Sequence, residues 1–237
     1  MTDKIGLINQ KYRASFSKTA FEIMGKNEGF LMRNHKMVID EVVELANDAI
    51  DYALSSTRKE AEEKQFGKQA FNFYIRQILM PESHAIFTNL LMGNLPACFR
   101  GLRFMTEMMA KCYLADVDYS KDLFFGDKIK KIHTEEVGSK RRIPEIRFIE
   151  DFDEKLKTGN KTKNLWRELS NETHGRKFTE RVLDNIINRD NVPGYSLMIP
   201  IPYSKGDIDD LRELNGYIAA FQKVLSETLI GKHGIQK

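Results

Sequence analysis

Apolar residues recur at three- and four-residue intervals along almost the whole 237-residue chain, the spacing of one face of an α-helix. From Glu28 to Leu54 the repeat runs through Met37, Val38, Val42, Leu45, Ala49, Tyr52 and Ala53. Ser55-Ser56-Thr57 then reads as a break whose hydroxyls cap a new helix, rich in Lys, Glu and Gln, that continues to Leu79. Met80-Pro81-Glu82-Ser83 is the next stop signal. The most apolar part of the chain follows at 85–115, interrupted by Gly93-Asn94-Leu95-Pro96, where a kink or a fresh helix start is expected. Downstream the pattern predicts a helix around 119–133, a basic loop at 138–144, helices over 145–157, 162–174 and 177–190, and a turn at Thr158-Gly159-Asn160. Tyr195 to Tyr203, with Pro200 and Pro202, reads as extended, an edge strand, small hairpin or packed loop, because proline is barred from a sheet interior. A last helix from Asp207 to about Leu229 places Leu211, Leu214, Ile218, Phe221, Val224 and Leu225 on one side. The fold class is all-α, a helical bundle with the 85–115 segment at its centre. The pattern offers one boundary, near residue 80, between an N-terminal helical segment (1–80) and a bundle (81–237), with one continuous domain as the alternative.

Composition narrows the classes. The chain is long enough to bury a full core without staples, and its two cysteines, Cys98 and Cys112, lie fourteen residues apart on one expected helix, roughly 21 Å along the axis, too far to bridge. With no apolar run of spanning length and no signal segment, a cytoplasmic protein without membrane contact is expected. The net charge of +3, from 37 basic and 34 acidic side chains, is too small to imply nucleic acid by itself. A basic stretch from Lys128 to Arg147 is weak support for a phosphate-bearing partner, since charge runs are mostly solvated faces. No phosphate loop, dinucleotide fingerprint, nucleophile elbow, Glu-x-x-His pair or Cys-x-x-Cys motif occurs, and the five histidines are scattered, so neither a metal nor an organic cofactor is expected.

Two constellations carry candidate chemistry. In Leu165-Trp166-Arg167-Glu168-Leu169-Ser170-Asn171-Glu172-Thr173-His174-Gly175, helical geometry gathers Arg167, Ser170, Asn171 and His174 within an arc of about 100°, with Leu165, Trp166, Leu169 and Thr173 on a separate arc. Arginine binds phosphate through a planar fork, and histidine changes charge near neutral pH. The structural alternative is a histidine favourably set against the helix dipole before a capping glycine. The second constellation is Arg100, Arg103 and Glu107, a narrow charged stripe on an otherwise apolar helix. It reads either as a core ion pair between Arg103 and Glu107 or as arginines facing the same cleft as His174, and the second reading requires the two helices to pack together.

Taken in order, Gly-Asn-Leu-Pro-Ala-Cys-Phe-Arg-Gly-Leu-Arg-Phe-Met-Thr-Glu and, some sixty residues on, Leu-Trp-Arg-Glu-Leu-Ser-Asn-Glu-Thr-His-Gly resemble the helical HEPN superfamily (higher eukaryotes and prokaryotes nucleotide-binding) and its uncharacterised prokaryotic relatives, over roughly 82–231. The resemblance implies a helical bundle, commonly a homodimer, acting on RNA in a defence or toxin–antitoxin setting, with a protein antitoxin or regulator as a further partner. Active members are metal-independent ribonucleases with an arginine followed, after four to six residues, by a histidine. On this chain that implies Arg167 and His174 as catalytic, Ser170 and Asn171 as phosphate-orienting, and Arg100, Arg103 and Glu107 as substrate-side residues. The alternative is a non-catalytic helical interaction or regulatory protein with the same fold.

Overall fold

The structure, a computed structural model, describes residues 2–64, 66–135, 145–174 and 201–233; at 2–17, 133–135, 145, 174 and 231–233 it describes the backbone alone. Its elements are α1 (Thr2–Asn34), α2 (Lys36–Glu63), α3 (Ala70–Tyr74), a π-helical turn (Ile75–Leu79), α4 (Met80–Leu91), α5 (Leu95–Asp118), α6 (Phe125–Glu135), α7 (Glu145–Leu156), α8 (Lys161–His174), a short turn of tighter helix (Lys205–Asp207) and α9 (Ile208–His233). Among the described residues there is no strand, and no helix is long and apolar enough to cross a membrane. The basic loop at 138–144 and the helix expected at 177–190 lie outside the described residues.

The expected central segment is central. α5 packs against α3, α4, α6, α7, α8 and α9, and its Cys98, Phe99, Leu102, Met105, Met109, Cys112 and Ala115 are fully buried. Both cysteines are free, and burial pushes the Cys98 thiol well above its ordinary range. One apolar core runs from Leu31 to Leu229, and α2 joins it by packing on α4 and α9.

Three expected boundaries are corrected. Ser55-Ser56-Thr57 does not break a helix: the Ser56 and Thr57 hydroxyls both donate to the Ala53 carbonyl, which satisfies them inside α2. The helix predicted to reach Leu79 ends at Glu63, where Lys64 takes the left-handed conformation, and it restarts at Ala70. Met80-Pro81 is no stop either. The π-turn at Ile75–Leu79 widens the helix just where the Pro81 ring would meet the preceding turn, so the chain stays helical from Ala70 to Leu91. The Gly93–Pro96 interruption is a fresh start, with Pro96 in the first turn of α5. Gly93 has φ +69°, and a Cβ there would come within 2.0 Å of the Ile201 carbonyl oxygen, so only glycine fits.

Of the segment predicted to be extended, residues 201–203 are described, and they form a packed non-helical connection. Ile201 N–H donates to the Met92 carbonyl and the Tyr203 hydroxyl to the Leu90 carbonyl. Ser204 then opens α9 with a reciprocal cap, its amide donating to the Asp207 carboxylate and its hydroxyl accepting from Gly206 N–H.

Candidate functional site

α8 begins at Lys161 because a carboxylate from another helix receives its first amides. Asp153 in α7, itself buried, accepts from Thr162 N–H at 3.2 Å and Lys163 N–H at 2.9 Å, and the Thr158 hydroxyl also donates to it. The positive left-handed φ angles of Lys157, Gly159 and Asn160 fold the connection tightly enough for this. From that anchor α8 runs along α5 and α7 with Leu165, Leu169, Glu172 and Thr173 buried, the inner face expected from the sequence plus a glutamate that was not. The Tyr217 hydroxyl lies 3.5 Å from the Glu172 carboxylate.

The α5–α8 seam is polar at its outer edge. Arg103 donates from Nε to Glu107 at 2.9 Å and from its guanidinium to the Thr173 hydroxyl at 3.3 Å, while lying 5.3 Å from the centre of the Trp166 ring. Trp166 Nε1–H donates to the same Glu107 oxygen at 2.7 Å. Arg103 and Glu107 therefore form the expected ion pair, but as part of a four-residue network that fastens α8 to α5. Trp166 is only half-buried, since its ring closes the edge of the seam rather than filling the core. The sequence reading missed Thr173 and Trp166 as partners of this pair, although an indole N–H on a packed helix face always calls for an acceptor.

The remaining site residues lie beside the seam. Arg167 and Asn171, one turn apart, are exposed, and Ser170 is half-buried with its hydroxyl donating to the Trp166 carbonyl. Arg100 is exposed one turn before Arg103, with Phe104 next to it, also exposed. The two helices run antiparallel, since Glu107 meets Trp166 while Arg103 reaches on to Thr173. Helical geometry then sets Arg100 at the level of the His174 backbone, which ends α8; the His174 side chain lies outside what the structure describes. Arg100 on α5 and Ser170 and Arg167 on α8 thus stand beside the Arg103–Trp166–Glu107 network. α7 touches both helices further along, where Lys163 pairs with Glu150 at 2.6 Å and Lys111 lies 5.2 Å from the Phe148 ring.

The basic stretch that suggested a phosphate partner begins with a residue that does not serve one. Lys128 is buried and donates to Asp116 at 2.9 Å, and Asp116 in turn accepts the Ala70 and Phe71 amides that open α3. Further along, Lys131 lies 5.7 Å from the Tyr119 ring. Among the described residues no cluster of His, Cys, Asp or Glu is arranged to hold a metal ion. No protein-family model matches the chain, and no curated protein and no solved structure is detectably similar to it.

Proposed function

We propose that the protein is a HEPN-like RNA-binding protein that cleaves RNA without a metal through the outer face of α8. The observation that carries this reading is the exposure of Arg167 and Asn171 on a helix whose opposite face is fastened to the core, with Arg100 exposed on the neighbouring α5. A rigid helix holds the arginine fork where a phosphodiester approaches from solvent. In the reaction, the ribose 2′-hydroxyl attacks the adjacent phosphorus as a base takes its proton, and the P–O5′ bond breaks as an acid protonates the leaving oxygen. The products are a 2′,3′-cyclic phosphate and a 5′-hydroxyl. His174 fills the base or acid role, Arg167 stabilises charge on the phosphoryl oxygens, and Asn171 orients the phosphate. A homodimer that joins two α8 faces would supply both acid and base, in a defence or toxin–antitoxin setting with a protein antitoxin as partner.

Arg103 and Glu107 leave the substrate-side set in this proposal, since both are committed to the seam. The test is incubation of the purified protein with single-stranded RNA in excess chelator, followed by analysis of the new ends. Cleavage to 2′,3′-cyclic phosphate that disappears in Arg167→Ala and His174→Ala, with unchanged melting, supports the reading; intact RNA overturns it.

One observation favours a second reading, a non-catalytic interaction or regulatory protein. The exposed Glu168 sets a negative charge next to Arg167 on the same surface. Under that reading neither RNA cleavage nor RNA binding is measurable, and His174→Ala lowers the melting temperature by loosening the end of α8.

A further inference from the structure

Most of α5 is buried, but one strip of it reaches solvent beside α8. Arg100, Phe104 and Met108 follow one another along this strip at one-turn spacing, and Phe104 is 41% exposed although Leu102, Met105 and Thr106 around it are fully covered. A single exposed phenylalanine is ordinary on a protein surface. Phe104 is set apart by its company. Its ring meets no other aromatic ring among the described residues, while the preceding residue, Arg103, lays its guanidinium over the Trp166 ring.

The contacts between the helices fix what stands opposite this ring. Glu107 meets Trp166 and Arg103 meets Thr173, so Phe104 comes level with Asn171 of α8, and its level falls between those of Arg100 and Arg167. Both of these arginines are uncommitted: among the described residues neither makes an ion pair, in contrast to Arg76, Arg103 and Arg212. Two free guanidinium groups on adjoining helices attract a polyanion, and the exposed ring offers it a flat apolar face. A lipid surface or an apolar protein segment would use the ring and leave the arginines idle. A nucleic acid strand uses both, because it alternates flat bases with phosphates. Packed helices have axes about 8–10 Å apart, a span that one nucleotide crosses with its base on α5 and its phosphate on α8. In a duplex both faces of each base are covered by its neighbours, so the ring takes only a base that is unpaired and unstacked.

We propose that Phe104 is a stacking platform for one unpaired base of a bound RNA strand, with Arg167 on the phosphate at one side of that nucleotide and Arg100 on the phosphate at the other. The inference rests on the RNA reading of α8 and adds to it a substrate class, unpaired rather than duplex RNA, and a residue that the sequence did not single out. Stacking on a ring is indifferent to base identity, so the site recognises that a base is free and not which base it is.

The experiment compares two oligonucleotides of equal length and charge, one with bases and one abasic throughout, both with 2′-O-methyl riboses so that no hydroxyl is free to attack. Binding to the full chain is read by fluorescence anisotropy at low salt. Wild type is expected to hold the strand with bases at least about tenfold more tightly, the effect of one stacked base. Phe104→Ala and Phe104→Leu should bring that ratio to about one with affinity for the abasic strand unchanged, and Phe104→Tyr should restore it. Arg100→Ala should weaken both strands alike. A wild-type ratio near one, or a tenfold ratio that survives in Phe104→Ala, overturns this inference and leaves the RNA reading standing. Wild type that binds neither strand overturns the inference, and if RNA is also left intact the reading of α8 falls with it. A lower particle mass for Phe104→Ala in light scattering assigns the ring to a protein contact and likewise overturns the inference.

Discussion

Two helices in this protein start in the same way and are held differently. α3 and α8 each receive their first two free amides on a single carboxylate from another helix, Asp116 of α5 and Asp153 of α7 respectively. Asp116 is balanced by a full positive charge, since Lys128 shares its burial, with side-chain exposures of 5% and 2%. Among the described residues Asp153 has no lysine on it; the helix amides and the Thr158 hydroxyl are the donors it meets. The first arrangement locks core elements together and leaves a stranded charge if either member is lost. The second starts a helix on hydrogen bonds to its amides and one hydroxyl alone, so that losing it uncaps α8 without stranding a buried charge.

The comparison can be broken most severely at Asp116. Asp116→Ala leaves Lys128 buried without its counter-charge and two amides uncapped, and should cost about 3–5 kcal/mol in chemical denaturation. If the loss is under about 1 kcal/mol, water replaces the carboxylate and the pair is not structural. Asp153→Ala removes only hydrogen bonds, so a smaller loss of about 2 kcal/mol is expected, with faster amide exchange confined to the first turn of α8. Trp166→Phe keeps most of the ring contact but takes one donor from Glu107, for about 1–2 kcal/mol. Arg167→Ala, on the free face, should shift stability by no more than about 0.5 kcal/mol while abolishing RNA cleavage.

The smallest effect is one of pH. His35, at the turn between α1 and α2, is held below its ordinary 6.5 chiefly by burial, with a backbone hydrogen bond opposing and the Arg212 guanidinium adding to the depression. Between that lowered value and 6.5 the unfolded chain binds the extra proton and the folded chain does not. Stability therefore falls as pH drops through this window and is flat above it. His35→Gln should remove the slope, as read from urea midpoints at successive pH values.

What could be read from sequence was what periodicity controls. The all-α class, the central 85–115 segment, the Gly93–Pro96 restart and the inner face of α8 follow from apolar spacing and from glycine and proline chemistry. The misreadings share a cause: a local signal was overridden by a partner of the same local kind. Ser56 and Thr57 looked like caps because hydroxyls bond backbone, and they do, but to Ala53 within their own helix. Pro81 looked like a stop, and the π-turn before it makes room. The remote caps had no local signal, because Asp116 and the Ala70 amide are 46 residues apart and Asp153 sat within a run of acidic residues that resembled a solvated surface. At the candidate site, the pairing of Arg103 with Glu107 was legible from their one-turn spacing, whereas the role of Trp166 needed the neighbouring helix.

Asn27 does the work of a peptide group that the backbone lacks. Its amide nitrogen donates to the Leu91 and Ile201 carbonyls, both at 2.9 Å, and its carbonyl oxygen accepts from Tyr203 N–H at 2.8 Å. Three segments far apart in sequence thus meet on one side chain, next to the glycine whose missing Cβ lets Ile201 approach. Only an amide meets this pattern of demand. An aspartate of the same size would turn oxygen toward oxygen twice, and a leucine would leave all three groups dry and unanswered. The path by which the chain enters α9 is thereby tied to the last turns of α1, so that a change at Asn27 is felt where α4 ends and where the chain turns into α9.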